Sequence, residues 1–187
     1  QAALAESGLE VTMLTTSILS PDEGNAREII EAAGRCGVGY VKLGYWRYQG
    51  FGNYRRQAAE VKAALRELEP VLRDNGVKAG FHTHSGPYMG LNAEFALRLV
   101  EDADPDVIGI FYDTGHNVAE GAVAGWEMAL DLCADRIIMC ALKDYGFFRM
   151  GSHSEPHKGW RELVVPFDAG LVDWAAFFGH LRTIGFD

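Results

Sequence analysis

The sequence predicts an α/β fold in which strand–helix units repeat around a parallel sheet, and three observations carry that prediction. Short apolar runs alternate along the chain with stretches of helical periodicity. One of those runs, Val107 to Tyr112 (VIGIFY), is continuously apolar, as a parallel strand covered on both faces must be. Polar side chains recur where the runs stop and loops begin, the edge at which such sheets carry their chemistry. The 187 residues, 48% hydrophobic and 23% charged, are enough for one well-cored domain over residues 1–187. They fall short of the roughly 250 residues of a closed eight-unit barrel.

Five units can be read in order. Gly8 to Thr16 is the first expected strand, and Ser20, Pro21 and Glu23 then give an N-cap, a proline at the first helical position and a capping-box glutamate. A helix is expected to start there, with Ala26, Ile29, Ile30 and Ala33 as its buried stripe and Gly37 as its stop. Gly39 to Trp46 follows as a strand. The second helix, Tyr54 to Asn75, is apolar at Tyr54, Ala58, Val61, Leu65, Leu68 and Leu72. Pro70 inside it removes a hydrogen bond and crowds the preceding turn, which predicts a kink or break near Glu69. Val77 to His82 is the third strand, and Asn92 caps a helix over Ala93 to Glu101. After the fourth strand comes a helix with Val123, Trp126, Leu130 and Cys133 on one face. Arg136 to Leu142 is the fifth strand, and a long loop leads to a last helix that Asp173 caps and that carries Trp174, Phe177, Phe178 and Leu181. The chain opens at Gln1 and stops soon after that helical pattern, so sequence is expected to be missing at both ends.

The formal net charge of −9 is opposite to the basic footprint that phosphate-backbone binding needs, which argues against a nucleic-acid partner. No run approaches the roughly 18 to 20 apolar residues of a membrane span, and residues 1–20 lack a signal-peptide pattern. A soluble, cytoplasmic protein without a membrane partner is the expectation. Cys36, Cys133 and Cys140 are odd in number and have no CxxC spacing, so they are expected to be buried thiols rather than a disulfide framework or zinc knuckle. Gly50-Phe51-Gly52 has Arg55 where GxGxxG needs its third glycine. No GxxxxGK[ST], GxSxG or HExxH is present either, which leaves little for dinucleotide, P-loop or serine-nucleophile chemistry.

The strand ends are where the informative residues gather. The second strand ends at Tyr45-Trp46, the third at His82-Thr83-His84, the fourth at Asp113-Thr114-Gly115-His116 and the fifth at Lys143-Asp144-Tyr145. His82 and His84, two apart, share a side if the extended geometry continues, and could hold a cation or a substrate hydroxyl, or simply bond to loop backbone. Asp113 follows a buried run, where a carboxylate needs a compensating cation or donors. It either caps its own turn or serves a site, and His116 three residues on could face the same pocket. Lys143 and Asp144 are either a local ion pair or contacts to a substrate. Tyr45, Trp46 and Tyr48 are either a wall for a sugar ring or core. His153 and His157 belong to a loop that is solvent-exposed or part of a lid.

The segments FHTHSG (Phe81 to Gly86), FYDTGHNVAEG (Phe111 to Gly121), IIMCALKDYGF (Ile137 to Phe147) and VVPFDAGLVDW (Val164 to Trp174) resemble the xylose-isomerase-like family of sugar phosphate isomerases and epimerases, inosose dehydratases included. The resemblance implies a (β/α)8 TIM barrel, here partial with five units visible. It also implies a metal-assisted isomerase, epimerase or related dehydratase that acts on a small sugar, sugar phosphate or cyclitol through an enediolate. The expected cofactor is one divalent ion (Mn²⁺, Mg²⁺, Co²⁺ or Zn²⁺) held by Glu, Asp, His and Glu at four strand ends. Asp113 matches the family's Asp, and His116 the substrate-contacting His after it. His82 stands at the first Glu position, Ala141 at that of the ligand His, and the last Glu belongs to a strand beyond Asp187. The implied ligands are therefore Asp113 and His82. Catalytic roles fall to His84, His116, Lys143 and Asp144, with substrate contacts from Tyr45, Trp46, His116 and Lys143. Alternatives are a barrel that binds a sugar without metal or catalysis, for which Ala141 speaks, and a metal-dependent hydrolase using the HxH pair. A homodimer is also expected, since an incomplete barrel leaves apolar edges to cover.

Overall fold

The computed structural model describes residues 6–186, without the side chains of 122 and 123; Gln1 and the Val123 side chain lie outside what is described. Five parallel strands stand side by side in chain order: β1 (Met13–Thr15), β2 (Tyr40–Lys42), β3 (Lys78–His82), β4 (Ile108–Asp113) and β5 (Ile137–Ala141). Helices α1 (Ala26–Arg35), α2 (Tyr54–Asp74), α3 (Ala93–Val100) and α4 (Thr114–Leu132) follow the first four strands, and α5 (Trp174–Thr183) ends the described chain. Each crossover returns the chain to start the next strand in parallel, which builds the curled sheet of a partial TIM barrel.

The register sorts the side chains into two layers. Thr15, Lys42, Gly80 and Gly109 lie side by side across four strands, and His82 pairs with Phe111, Phe111 with Met139, and Asp113 with Ala141. Because side chains alternate, Lys42, His82 and Asp113 share the inner face of the curl. Val41, Ala79, Phe81, Ile108, Ile110 and Tyr112 take the other face and pack under the helices, all of them buried. Tyr112 stacks on Phe177 of α5 at 6.0 Å. The inner face is tight below the site: a Cβ on Gly80 would come within 2.2 Å of the Met139 methyl and 3.1 Å of the Phe111 Cβ, so a side chain there would make Met139 move.

Three expectations are corrected. The α1 helix begins at Ala26, about a turn after the Ser20-Pro21-Glu23 signature, because Gly24 turns left-handed (φ +54°) between the two. The α2 helix runs unbroken through Pro70 to Asp74; Leu68 and Leu72, both fully buried, hold the turn on either side of the proline against the core. The stretch between β5 and α5 is an antiparallel hairpin rather than a loop, β6 (Asp144–Arg149) with β7 (Trp160–Val165), closed by a turn in which His157 and Lys158 are left-handed. His153 and His157 are exposed on it. Of the cysteines, Cys133 is buried and Cys140 half-buried, whereas Cys36 is exposed. Burial pushes the Cys133 and Cys140 thiols up to about 12, which keeps them protonated.

Candidate active site

Asp113 is the centre of the site, and its place follows from the junction of β4 with α4. Its Oδ1 accepts from the His116 backbone N–H at 3.2 Å, capping the helix, while its own N–H donates to Thr83 Oγ1 at 2.9 Å. The other oxygen, Oδ2, takes Lys143 Nζ at 2.7 Å and His82 Nε2 at 3.2 Å, with His116 Nε2 at 3.8 Å. Asp113 is fully buried. Burial alone would raise its pKa, but His82, His116 and Lys143 more than offset that and hold the carboxyl at about 2.

The partners fix the histidine tautomers. A carboxylate only accepts, so His82 donates through Nε2–H and accepts the Tyr45 hydroxyl at Nδ1, 2.7 Å away. Burial holds its pKa below the ordinary histidine value. His116 receives the Lys143 ammonium at Nε2 (3.3 Å), so its Nδ1–H donates to Ser85 Oγ at 2.8 Å. Burial lowers the His116 pKa to about 3, so this ring is neutral throughout the physiological range. His84 donates Nδ1–H to the Ser85 carbonyl at 2.8 Å, which leaves the lone pair on Nε2. Its half-buried ring stacks on His116 at 4.1 Å and meets Tyr45 and Tyr88 edge-on at 4.7 and 4.8 Å.

The structure thus brings together Tyr45, His82, His84, Asp113, His116 and Lys143, and it places two predicted site residues elsewhere. Trp46 lies parallel to Phe81 at 5.2 Å and packs against the core, so it is not positioned as a sugar wall. Asp144 points away from Lys143, as consecutive extended residues must. Its Oδ1 accepts the N–H groups of Tyr145, Leu171 and Val172, and its Oδ2 the Trp174 indole at 3.2 Å, which pins the segment before α5. Three residues that the sequence reading passed over belong to the assembly. Ser85 orients both His84 and His116, Thr83 supports Asp113 and Asn117, and Lys42 lies over the Tyr45 ring at 3.6 Å. Thr83 and Ser85 alternate with the histidines in the THS run, the only trace they leave in the sequence.

These residues do not fit the expected divalent ion. Both nitrogens of His82 and both oxygens of Asp113 already have protein partners, and Ala141, beside Asp113 in register, brings no donor. The Lys143 ammonium lies against the carboxylate where a cation would be held. Among the described residues, no group of three or more His, Cys, Asp and Glu side chains converges as a metal cage. The described residues also contain no helix long and apolar enough to cross a membrane.

Among solved structures, the chain is similar to a xylose isomerase-like TIM barrel protein from Mycobacterium smegmatis in complex with magnesium, with 18% identity and a TM-score of 0.73 over 99% of this chain and 66% of that one. It is likewise similar to the IOLI protein with a binding zinc atom (18% identity, TM-score 0.75, 99% and 69% of the two chains). A third is an L-ribulose 3-epimerase (23%, 0.68, 98% and 61%). The chain therefore spans between 61 and 69% of the length of these proteins, and at such identities the likeness is one of fold. No curated protein matches its sequence. The xylose isomerase-like TIM barrel pattern matches residues 1–187, the whole length, and the chain belongs to that family.

Proposed function

We propose that the site moves a proton at the carbon next to a carbonyl of a small sugar or cyclitol, the step common to isomerisation, epimerisation and some dehydrations. The observation that carries this is His84: its Nδ1–H is tied to the Ser85 carbonyl, which leaves Nε2 as a free base within the cluster that holds Lys143. His84 Nε2 takes the proton, the C–H pair becomes a carbon–carbon double bond, and the carbonyl pair moves onto oxygen as an enediolate. Lys143 donates to that oxygen and stabilises its charge. Asp113 keeps Lys143 in place, and neutral His116, held by Ser85, shares its lone pair with the same ammonium. Return of the proton from His84 to the former carbonyl carbon, while the proton of the adjacent hydroxyl passes to the oxyanion by way of Lys143, turns that hydroxyl into the new carbonyl and completes an isomerisation. An L-ribulose 3-epimerase of the same fold is, by its name, a sugar epimerase, which supports this class of substrate.

Incubation in D₂O with a panel of ketoses, inososes and hydroxypyruvate tests the reaction by NMR. Solvent deuterium is expected at the carbon next to the carbonyl of at least one of them. His84→Gln should slow that exchange by about 10² to 10⁴-fold, the usual worth of a positioned base, with little change in stability. Ala141, which offers no side-chain donor beside Asp113, favours a second reading, a barrel that binds a sugar without turning it over. A sugar that raises the melting temperature yet never exchanges its proton would establish that reading and overturn the first.

A further inference from the structure

Lys42 is the buried charge that the proposed reaction leaves unused. It ends β2 on the inner face and is only 4% exposed. Its Nζ has the Tyr45 ring at 3.6 Å and one distant carbonyl, Thr16 O at 3.5 Å. Among the described residues, no carboxylate reaches it, and burial alone brings its pKa down to about 8. The two buried acids are treated differently: Asp113 has Lys143 and His82, and Asp144 has a set of N–H donors. A snorkelling lysine would bury its stem and keep its head in bulk water, which this degree of burial does not allow. Instead Lys42 lines a cavity of about 530 Å³ that opens beyond the ends of β1 and β2, with Thr15, Thr16, Ser17, Gly44 and Tyr45 around it.

We infer that this cavity is an anion subsite, in which Lys42 with the hydroxyls of Thr15 and Ser17 takes a phosphate or carboxylate. A buried ammonium without a counter-charge is costly, and an incoming anion supplies the charge that no described residue brings to it. The single ring of Tyr45 lies between this cation and His82, so the anion would be one end of a molecule whose carbonyl reaches Lys143. The substrate would then be an acidic sugar, a phosphate ester or a sugar acid, in preference to a neutral one. That last clause rests on the proposed reaction; the anion site does not.

Titration of the protein with inorganic phosphate and with acetate, followed by amide NMR, tests the subsite. Saturable shifts confined to residues 14–17 and 42–45 are expected, with affinity at least tenfold weaker in Lys42→Met and within a few-fold in Lys42→Arg. Lys42→Met removes a buried charge, so it should fold at least as well as the native chain. A sugar phosphate and a sugar acid of equal chain length, each competed against phosphate, then identify which anion the site prefers. Absence of saturable shifts with either ion, or undiminished affinity in Lys42→Met, would overturn the subsite. Lys42-dependent anion binding in a protein that exchanges no substrate proton would instead leave the subsite standing and sink the proposed reaction.

Discussion

The two sides of the inner face handle buried charge in opposite ways. On the β3–β5 side, a carboxylate with no exposure at all is surrounded by an ammonium, an imidazole N–H and a helix N-terminus, so each charge has its partner. On the β1–β2 side, an ammonium almost as deeply buried has an aromatic face and one long carbonyl contact. The first arrangement is complete among the described residues. The second has no counter-charge among the described residues, which is the ground for the proposed anion subsite. Net charge could not have revealed either, since both depend on which residues the register sets side by side.

The largest effect is expected where the compensated side is broken. Asp113→Asn leaves Lys143 and His82 without their common acceptor and should cost about 3–5 kcal/mol in urea unfolding, as loss of one partner of a buried pair usually does. It should also abolish turnover. In a Lys143→Met background the same substitution should cost clearly less, because the stranded cation is already gone. Equal costs in the two backgrounds would mean that Asp113 acts chiefly as the cap of α4.

A smaller and graded effect is expected in acid. His116 has a folded pKa of about 3 against 6.5 in the unfolded chain, so between those values the unfolded state binds the extra proton. Its contribution to stability is complete above pH 6.5 and is lost as pH falls towards 3. The slope is at most about 1.4 kcal/mol per pH unit for one proton. Asp113, held at about 2, adds to the loss only below the ordinary carboxylate range. Chemical denaturation at stepped pH should show the decline, and His116→Gln should flatten it. The His116 ring resonances should also fail to titrate between pH 8 and 5; a midpoint near 6.5 would place that ring in water rather than against Lys143.

What the sequence made legible follows the same division. The five strands, the Asn92 and Asp173 caps and the convergence of His82, His84, Asp113, His116 and Lys143 were all readable, because apolar periodicity and strand ends are local signals. Asp144 was misassigned because a dipeptide does not say which of its two faces meets the site. The β6–β7 hairpin was missed because its outer strand is largely exposed, with Trp160, Leu163 and Val164 facing away from any core, so no periodicity marks it. Lys42 escaped notice for a different reason. In the run GYVKLGYW it reads as the polar side of a half-buried strand, and only its lateral register with Gly80, two residues short of His82, turns that side inward.

The smallest expected effect belongs to that lysine, and it is the one that separates the two sides most cleanly. Its folded pKa of about 8 lies below the 10.5 of the unfolded chain, so from pH 8 to 10.5 the unfolded state again holds more protons. Lys42 should therefore contribute a rise in stability with pH across this window, opposite to the fall expected of an ammonium that keeps a carboxylate partner. Above about pH 9 this rise is set against the fall that Cys133 and Cys140 contribute, whose thiols stay protonated up to about 12 in the folded chain. The rise should be a fraction of the about 1.4 kcal/mol per pH unit that one whole proton would give, because solvent in the cavity screens part of the penalty. Burial raises the Tyr45 pKa above its ordinary value, so this phenol, which loses its proton first in the unfolded chain, also works against the rise at the top of the window. Lys42→Met should remove that rise and keep the fall that the two thiols contribute, so that the difference between the two profiles is the lysine's rise. Saturating phosphate should flatten it in the native chain, since a bound anion favours the charged amine and lifts its pKa back towards the unfolded value. Native and Lys42→Met profiles that coincide would assign the titration to other groups and would return Lys42 to the ranks of compensated charges.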